Sequence, residues 1–266
     1  MSILWAVLFG IIQGASEFLP VSSSAHLTIF GAISKIKEED ALPFFIILHL
    51  GTLLALLLFF FKDIVELGKR TLKREKESAK IIGLLFFTTI FTGILGLGLK
   101  KFVEKVFVSP LWASIFLIFT SFLLLSTLLI KNREEKVDKI ASMGYFAAAL
   151  IGIAQGIAVF PGISRSGITI VASLFLGLSK KDAFNYSFLA SIPAICGAFL
   201  LELKDITNIT HTLGVGILLV GFIFAFVTGY LSLGFLKKSV IKGKLHYFGY
   251  YTFFAAMFGF AVYKYF

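Results

Sequence analysis

A chain of 266 residues that is 58% hydrophobic, 16% aromatic and only 15% charged is not a soluble enzyme, because soluble domains carry about 25% charged residues. Its mean hydropathy is +0.94, and its formal charge of +10 sits in short clusters between apolar runs of ~17–25 residues, long enough to cross a bilayer as helices. That placement argues for membrane loops rather than nucleic-acid binding, and the lone Cys196 excludes an internal disulfide.

No basic segment with a small-residue cleavage site follows Met1, so the N-terminus is expected to be retained. Residues 3–34 then form an apolar region interrupted by EFLPVSSSAH at 17–26. Each half is too short to cross a bilayer, and irregular backbone at membrane depth is tolerated only where protein buries it or it lines a cavity. The region reads as a re-entrant hairpin. Full crossings are predicted at 42–61, 81–99 and 111–130. A second broken region, 143–178, carries FPGISRSG at 160–167, and further crossings are predicted at 183–203, 213–236 and 247–263. The expected fold is an all-α polytopic membrane protein with six full transmembrane helices and two re-entrant helix hairpins. If one half of each broken region crosses, the count becomes eight.

The second half of the chain repeats the first. Gln13-Gly14 and Gln155-Gly156 each precede an aromatic residue, a proline and a serine-rich turn, and Lys62-Asp63 and Lys204-Asp205 follow at the same offset of 142 residues. The chain is expected to be a single membrane domain, 1–266, made of repeats 1–135 and 136–266. Three crossings per repeat is an odd number, which inverts the second repeat, a plan common among transporters with broken helices at the midplane. Loops 62–80, 131–140, 180–181 and 237–244 hold 17 Lys and Arg residues against 7 on the other face. The positive-inside rule makes the first face cytoplasmic and puts both termini outside. KREKESAK at 73–80 reads as solvated loop able to touch anionic headgroups.

The two tips hold the groups that could do chemistry. Gln13 and Glu17 are four residues apart and share a helix face. Pro20 breaks that helix, and Ser22, Ser23 and Ser24 are N-cap types in front of an apolar run. His26 lies one turn from Ser22 and Ser23, so either hydroxyl can face the imidazole. In the second tip, Pro161-Gly162 makes a turn, and Ser164, Arg165 and Ser166 open a helix that carries Gly167 and Thr169. Two helix N-termini facing each other make an anion site, above all for phosphate, and Arg165 adds a planar charge suited to phosphate oxygens. Ser22, Ser24, Ser164, Ser166, Gly167 and Thr169 are the expected phosphate-binding groups. Glu17 and Arg165 are ionisable groups at membrane depth, functional by default; the plainer alternative is that they pair with each other. His49, with no polar neighbours in the sequence, reads as structural.

This constellation suggests phosphoryl chemistry, with Ser23 as nucleophile, His26 as its base, and Arg165 holding charge on the phosphoryl oxygens. Glu17, with Gln13, would hold a divalent cation or act as an acid–base group. A transporter or flippase of a lipid phosphate or other anion on the same scaffold is the competing reading.

QGASEFLPVSSSAH at 13–26 and PGISRSGIT at 161–169 closely resemble the two signature motifs of the undecaprenyl-diphosphate phosphatase family, the bacitracin-resistance type; LHLGTLLA at 48–55 and YSFLASIP at 186–193 also look like family segments. The resemblance covers essentially the whole chain. It implies an integral enzyme of the bacterial cytoplasmic membrane that hydrolyses a C55 polyprenyl diphosphate to the monophosphate and inorganic phosphate. That activity recycles the lipid carrier of peptidoglycan synthesis and confers bacitracin resistance. It further implies an active site opening to the outer side, a divalent cation, commonly magnesium or calcium, and a homodimer as one candidate assembly. Carried over by position, the family's essential acid falls on Glu17, its motif histidine on His26, its phosphate-binding arginine on Arg165 and its proposed nucleophile on Ser23; a histidine-centred mechanism is the alternative. Three positions depart from the commoner pattern: Gln13 stands where many members have Glu, Ala25 where Gly is frequent, and Phe45 where an acid is frequent.

Overall fold

The computed structural model describes residues 1–34, 36, 38–106, 109–130, 139–206 and 213–265. Its elements are helical: α1 (Ile3–Phe18), α2 (Ser23–Ser34), α3 (Glu38–Phe59), α4 (Phe61–Leu72), α5 (Lys76–Val106), α6 (Pro110–Leu125), α7 (Tyr145–Ile157), α8 (Arg165–Phe175), α9 (Lys180–Ile206), α10 (Val215–Ile241) and α11 (His246–Tyr265), with short 3-10 turns at Ser126–Ile130 and Ile140–Ser142. Among the described residues, segments on α5, α9 and α10, and α6 together with the turn that follows it, are long and apolar enough to cross a membrane, and α3 with α4 would make a fifth span. The protein is therefore multi-pass. The segment predicted at 247–263 falls on α11, a 20-residue helix rich in tyrosine. Of the residues in the charge count, Lys35, Lys37, Lys131, Arg133 and Lys136 lie outside the described residues.

Both broken regions are pairs of short helices, α1–α2 and α7–α8. The first pair parts at Leu19–Ser22, where Pro20 has no N–H to continue a helix. Ser22 sits at φ 66°, a left-handed conformation that costs a non-glycine residue roughly 1–2 kcal/mol. The second pair parts at 158–164. There Gly162 has φ 107°, and a Cβ on it would lie 2.6 Å from the Phe116 Cβ.

One part of the charged stretch differs from expectation. Residues 61–72 form the amphipathic helix α4, bent 58° from α3, with an acidic first turn, a basic last turn and no buried residue. KREKESAK is not all loop, because α5 begins at Lys76. Arg70 closes the corner with bonds to Glu75 (2.6 Å) and Glu77 (3.6 Å). Charges spaced along a helix face outweighed the loop reading of their density.

Close helix packing positions both short pairs. On α10, Gly221, Ala225 and Gly229 recur every four residues opposite Gly10 and Gly14 of α1, so the backbones approach each other closely, as small residues permit in membranes. Thr228 and Ser232 hydroxyls donate to the carbonyls of Gly10 (3.4 Å) and Gly14 (3.0 Å). The same device joins α5 to α7, where Thr88 and Thr92 donate to the carbonyls of Ala148 (2.9 Å) and Gly152 (3.1 Å). A Cβ on Gly14 would strike the Thr228 hydroxyl and lie 2.7 Å from the Gly229 nitrogen, whereas one on Gly31 would meet nothing within 4 Å. Gly14→Ala is therefore expected to destabilise the protein by ~1–3 kcal/mol through overpacking. Thermal unfolding in detergent should show a lowered midpoint for Gly14→Ala and none for Gly31→Ala. Beneath the tips lies an aromatic core in which Phe18 meets Phe188 edge-on at 5.9 Å and Phe60 stacks on Phe184 at 5.9 Å.

Candidate active site

The two tips touch. The Gly162 N–H donates to the Ser22 hydroxyl (3.0 Å), which lies 3.2 Å from the Ser24 hydroxyl. The strained Ser22 is thus a joint between the hairpins. Across the joint, Arg165 Nη2 donates to Glu17 Oε1 at 2.7 Å, with the two side chains 17% and 10% exposed. The other oxygen, Glu17 Oε2, accepts the Ser23 hydroxyl (2.6 Å) and Gln13 Nε2 (3.0 Å). One carboxylate therefore gathers an arginine, a serine and an amide, three donors that satisfy a buried charge.

The second tip is built as firmly. The Ser164 hydroxyl caps α8 by accepting the Gly167 N–H (3.1 Å), and its own N–H donates to Thr120 Oγ1 (3.1 Å), which in turn donates to the Gly162 carbonyl (2.7 Å). The Ser164 and Ser166 hydroxyls are 3.3 Å apart, matching the Ser22–Ser24 pair.

A cavity of about 350 Å³ opens at this junction, and Glu17, Ser22, Ser23, Ser24, Ser164 and Arg165 line it. Its remaining walls come largely from apolar side chains of α3 and α9, among them Phe45, Leu53, Ile195 and Phe199. Polar groups gathered at one end of an apolar cleft fit a ligand with a charged head and a hydrocarbon tail.

The other predicted residues are not walls of this cavity, although His26 lines a second one. Thr169 is fully buried; its hydroxyl donates to the Arg165 carbonyl (2.8 Å) and touches the Ser187 hydroxyl. Ser166 and Gly167 are buried in the first turn of α8. Gln13 stands behind Glu17. His26 departs most from its expected place. Its Nδ1 donates to the Ser22 carbonyl (2.8 Å) and its Nε2 accepts from the Tyr251 hydroxyl (2.8 Å), the rings stacked 5.7 Å apart. Both nitrogens are engaged, and neither engages Ser23. The group beside the Ser23 hydroxyl is Glu17. One turn of helix brings His26 within reach of Ser22, but through the backbone carbonyl four residues back.

His49, read from sequence as structural, lines the cavity. The Phe45 carbonyl accepts from Nδ1 (2.7 Å), and Nε2 lies 3.8 Å from Glu17 Oε2. The polar residue near His49 in sequence is Thr52, whose hydroxyl donates to the His49 carbonyl (2.9 Å) rather than to its ring, so only the packing of α3 against the first tip reveals it. Among the described residues, no three His, Cys, Asp or Glu side chains converge as a metal cluster. Besides the serine hydroxyls, the oxygen donors at the site include the Glu17 carboxylate and two buried amide oxygens, Gln13 Oε1 and Gln155 Oε1, which have no hydrogen-bond partner among the described residues.

Residues 6–258 match the protein family described as bacitracin resistance protein BacA. The chain belongs to the BacA family. Its relatives include a protein of Methanococcus vannielii named undecaprenyl-diphosphatase, 44% identical over 253 residues, which cover 95% of this chain and 97% of that one. Proteins of the same name from Methanococcus maripaludis strain C7 (42%, covering 95% and 97%) and Treponema denticola (41%, covering 94% of each) are also similar. Both tips lie inside the matched BacA region, with all of α2, α7 and α8 and all of α1 but its first three residues.

Proposed function

We propose that this BacA-family protein is an integral membrane phosphatase that hydrolyses undecaprenyl diphosphate to undecaprenyl phosphate and inorganic phosphate, recycling the lipid carrier for cell-wall synthesis. The observation that carries this reading is the junction itself: Ser23, Glu17 and Arg165 in one hydrogen-bonded line, at paired helix starts and at the polar end of an apolar cleft. A buried diphosphate needs fixed donors, and helix N-termini and a guanidinium provide them without reorganisation. The incoming anion competes with Glu17 for Arg165. Once relieved of that partner, the carboxylate is free to take the Ser23 proton. Ser23 Oγ then attacks the terminal phosphorus, the bond to the lipid monophosphate breaks, and water later hydrolyses the phosphoseryl ester to release inorganic phosphate.

A divalent cation, magnesium or calcium, fits this donor set. Hard cations take oxygen ligands, and magnesium is commonly held by one or two carboxylates plus the substrate's phosphates. Glu17 and the unpartnered Gln13 Oε1 would hold it, and when bound it would neutralise charge on the diphosphate. A cation also answers the absence of an acid at Phe45, since a second protein carboxylate is not required.

The orientation and finer topology belong to the same reading: six crossings, two re-entrant hairpins and inverted repeats 1–135 and 136–266, in the cytoplasmic membrane. The shared packing of α1 on α10 and α7 on α5 supports the repeat. The cavity walls draw on His49 and Thr92 at the middle of α3 and α5, on Phe45 nearer the start of α3 and on Phe199 nearer the end of α9. Phe45 and Phe199 lie toward the ends of α3 and α9 that are away from the basic loops 62–80 and 180–181, which supports an outward-opening site.

The test is phosphate release from farnesyl or undecaprenyl diphosphate by purified protein in detergent. Release is expected with magnesium or calcium, to fall to background with a chelator and to return when the metal is restored. A wild type that binds labelled lipid phosphate in either metal but releases none would replace the phosphatase with a transporter.

A further inference from the structure

A second cavity, of about 840 Å³, lies between α10 and α11 with the α1–α2 hairpin as its floor. It shares no lining residue with the cavity at the tips. Ile11, Leu19, Phe30 and Phe235 make its walls apolar, and Lys238, Lys242 and Lys244 line it at the end where α10 turns into α11. The Lys180 ammonium lies beside Gly243 in the same turn. No carboxylate lines this space, and none of the three lysines forms an ion pair among the described residues. Uncompensated ammonium groups repel one another, and each contributes about 1 kcal/mol to attracting an anionic lipid surface. A single-charged diester would leave most of that positive charge unanswered, whereas a dianion uses it.

We propose that this groove binds the phosphate monoester head of a lipid, with the head among Lys238, Lys242 and Lys244 and the apolar chain running along α1 and α2 toward the midplane. Two sources offer this chemistry, a prenyl phosphate and a phosphatidic acid. The argument rests on the groove and not on the phosphatase reading, and the two fail separately.

The test uses full-length protein in phosphatidylcholine nanodiscs and a photoreactive farnesyl monophosphate, with adducts mapped by mass spectrometry. Adducts are expected on α10 or α11 facing the groove. The variant Lys238→Gln/Lys242→Gln/Lys244→Gln should lower them at least about tenfold while its thermal midpoint in detergent stays at the wild-type value, which verifies folding. Lys69→Gln/Lys73→Gln, which removes charge from exposed α4, should leave them unchanged. Displacement by phosphatidic acid assigns recognition to the head alone; failure of phosphatidic acid to displace the probe assigns it to the prenyl chain as well, and both support the site. The proposal is overturned by groove adducts that persist in the triple lysine variant, by no adduct in the groove, or by displacement with phosphatidylglycerol as effective as with phosphatidic acid.

Discussion

Arg165→Lys should fold like the wild type and release phosphate ~10²–10³-fold more slowly, a loss of about 2.7–4 kcal/mol of transition-state stabilisation. Among the described residues, Arg165 is the one cation bonded directly to the Glu17 carboxylate, at 2.7 Å, and it stands at the first residue of α8, so backbone donors and guanidinium address the same anion. A lysine preserves the charge that balances Glu17. It lacks the planar fork that holds two phosphoryl oxygens at once. Arg165→Ala removes both, and leaving a buried carboxylate uncompensated costs ~3–5 kcal/mol, so that variant confounds folding with catalysis. The decisive comparison is a thermal midpoint near wild type together with depressed kcat in Arg165→Lys. Wild-type kcat in that variant would show that the guanidinium serves only as the partner of Glu17.

The positions of both breaks were legible because proline, clustered serines and charge are costly in hydrocarbon, and a sequence places them there for a reason. The motifs that open α2 and α8 are local, and their geometry follows from local rules: Ser164 caps α8 as its residue type predicts. The direction of His26 was not legible. Helical spacing puts the ring one turn from two serines, but whether it reaches a hydroxyl or a carbonyl depends on Tyr251, which is 225 residues away. His49 was hidden for the same reason, since its partner Glu17 is on another helix. α4 was hidden differently. Its charges were dense enough to mask the helical period of Ile64, Val65 and Leu67, and the corner is closed by the Arg74 and Glu75 N–H bonds to the Thr71 and Arg70 carbonyls together with the pairing of Arg70 with Glu75 and Glu77. Sequence carries what is local or chemically expensive; tertiary partners decide which of two nearby groups a side chain finds.

That distinction separates Ser23 from His26. Ser23→Ala should lower kcat by ~10⁶-fold, the scale lost when a nucleophile is removed, with little change in stability, because its hydroxyl makes one bond, to Glu17 (2.6 Å). His26→Ala should lower kcat by ~10²-fold or less, the scale of misplacing a reacting group by about 1 Å. His26 does not touch Ser23; it holds the Ser22 carbonyl and so steadies a left-handed residue that joins the two tips. Tyr251→Phe removes the hydroxyl at its other nitrogen and should cost less again. A rapid-quench experiment with substrate labelled in the terminal phosphate distinguishes the two chemistries directly. A phosphoseryl intermediate survives acid and is lost in alkali, and it should be absent from Ser23→Ala but present, with slower build-up, in His26→Ala. A phosphohistidine is acid-labile and stable in alkali. Finding that pattern in the wild type and in an active Ser23→Ala, but not in His26→Ala, would mean that binding swings the His26 ring away from Tyr251 and into the cavity, and the positioning role assigned to it would be wrong. Its loss in His49→Ala instead would place the phosphoryl group on the histidine that lines the cavity.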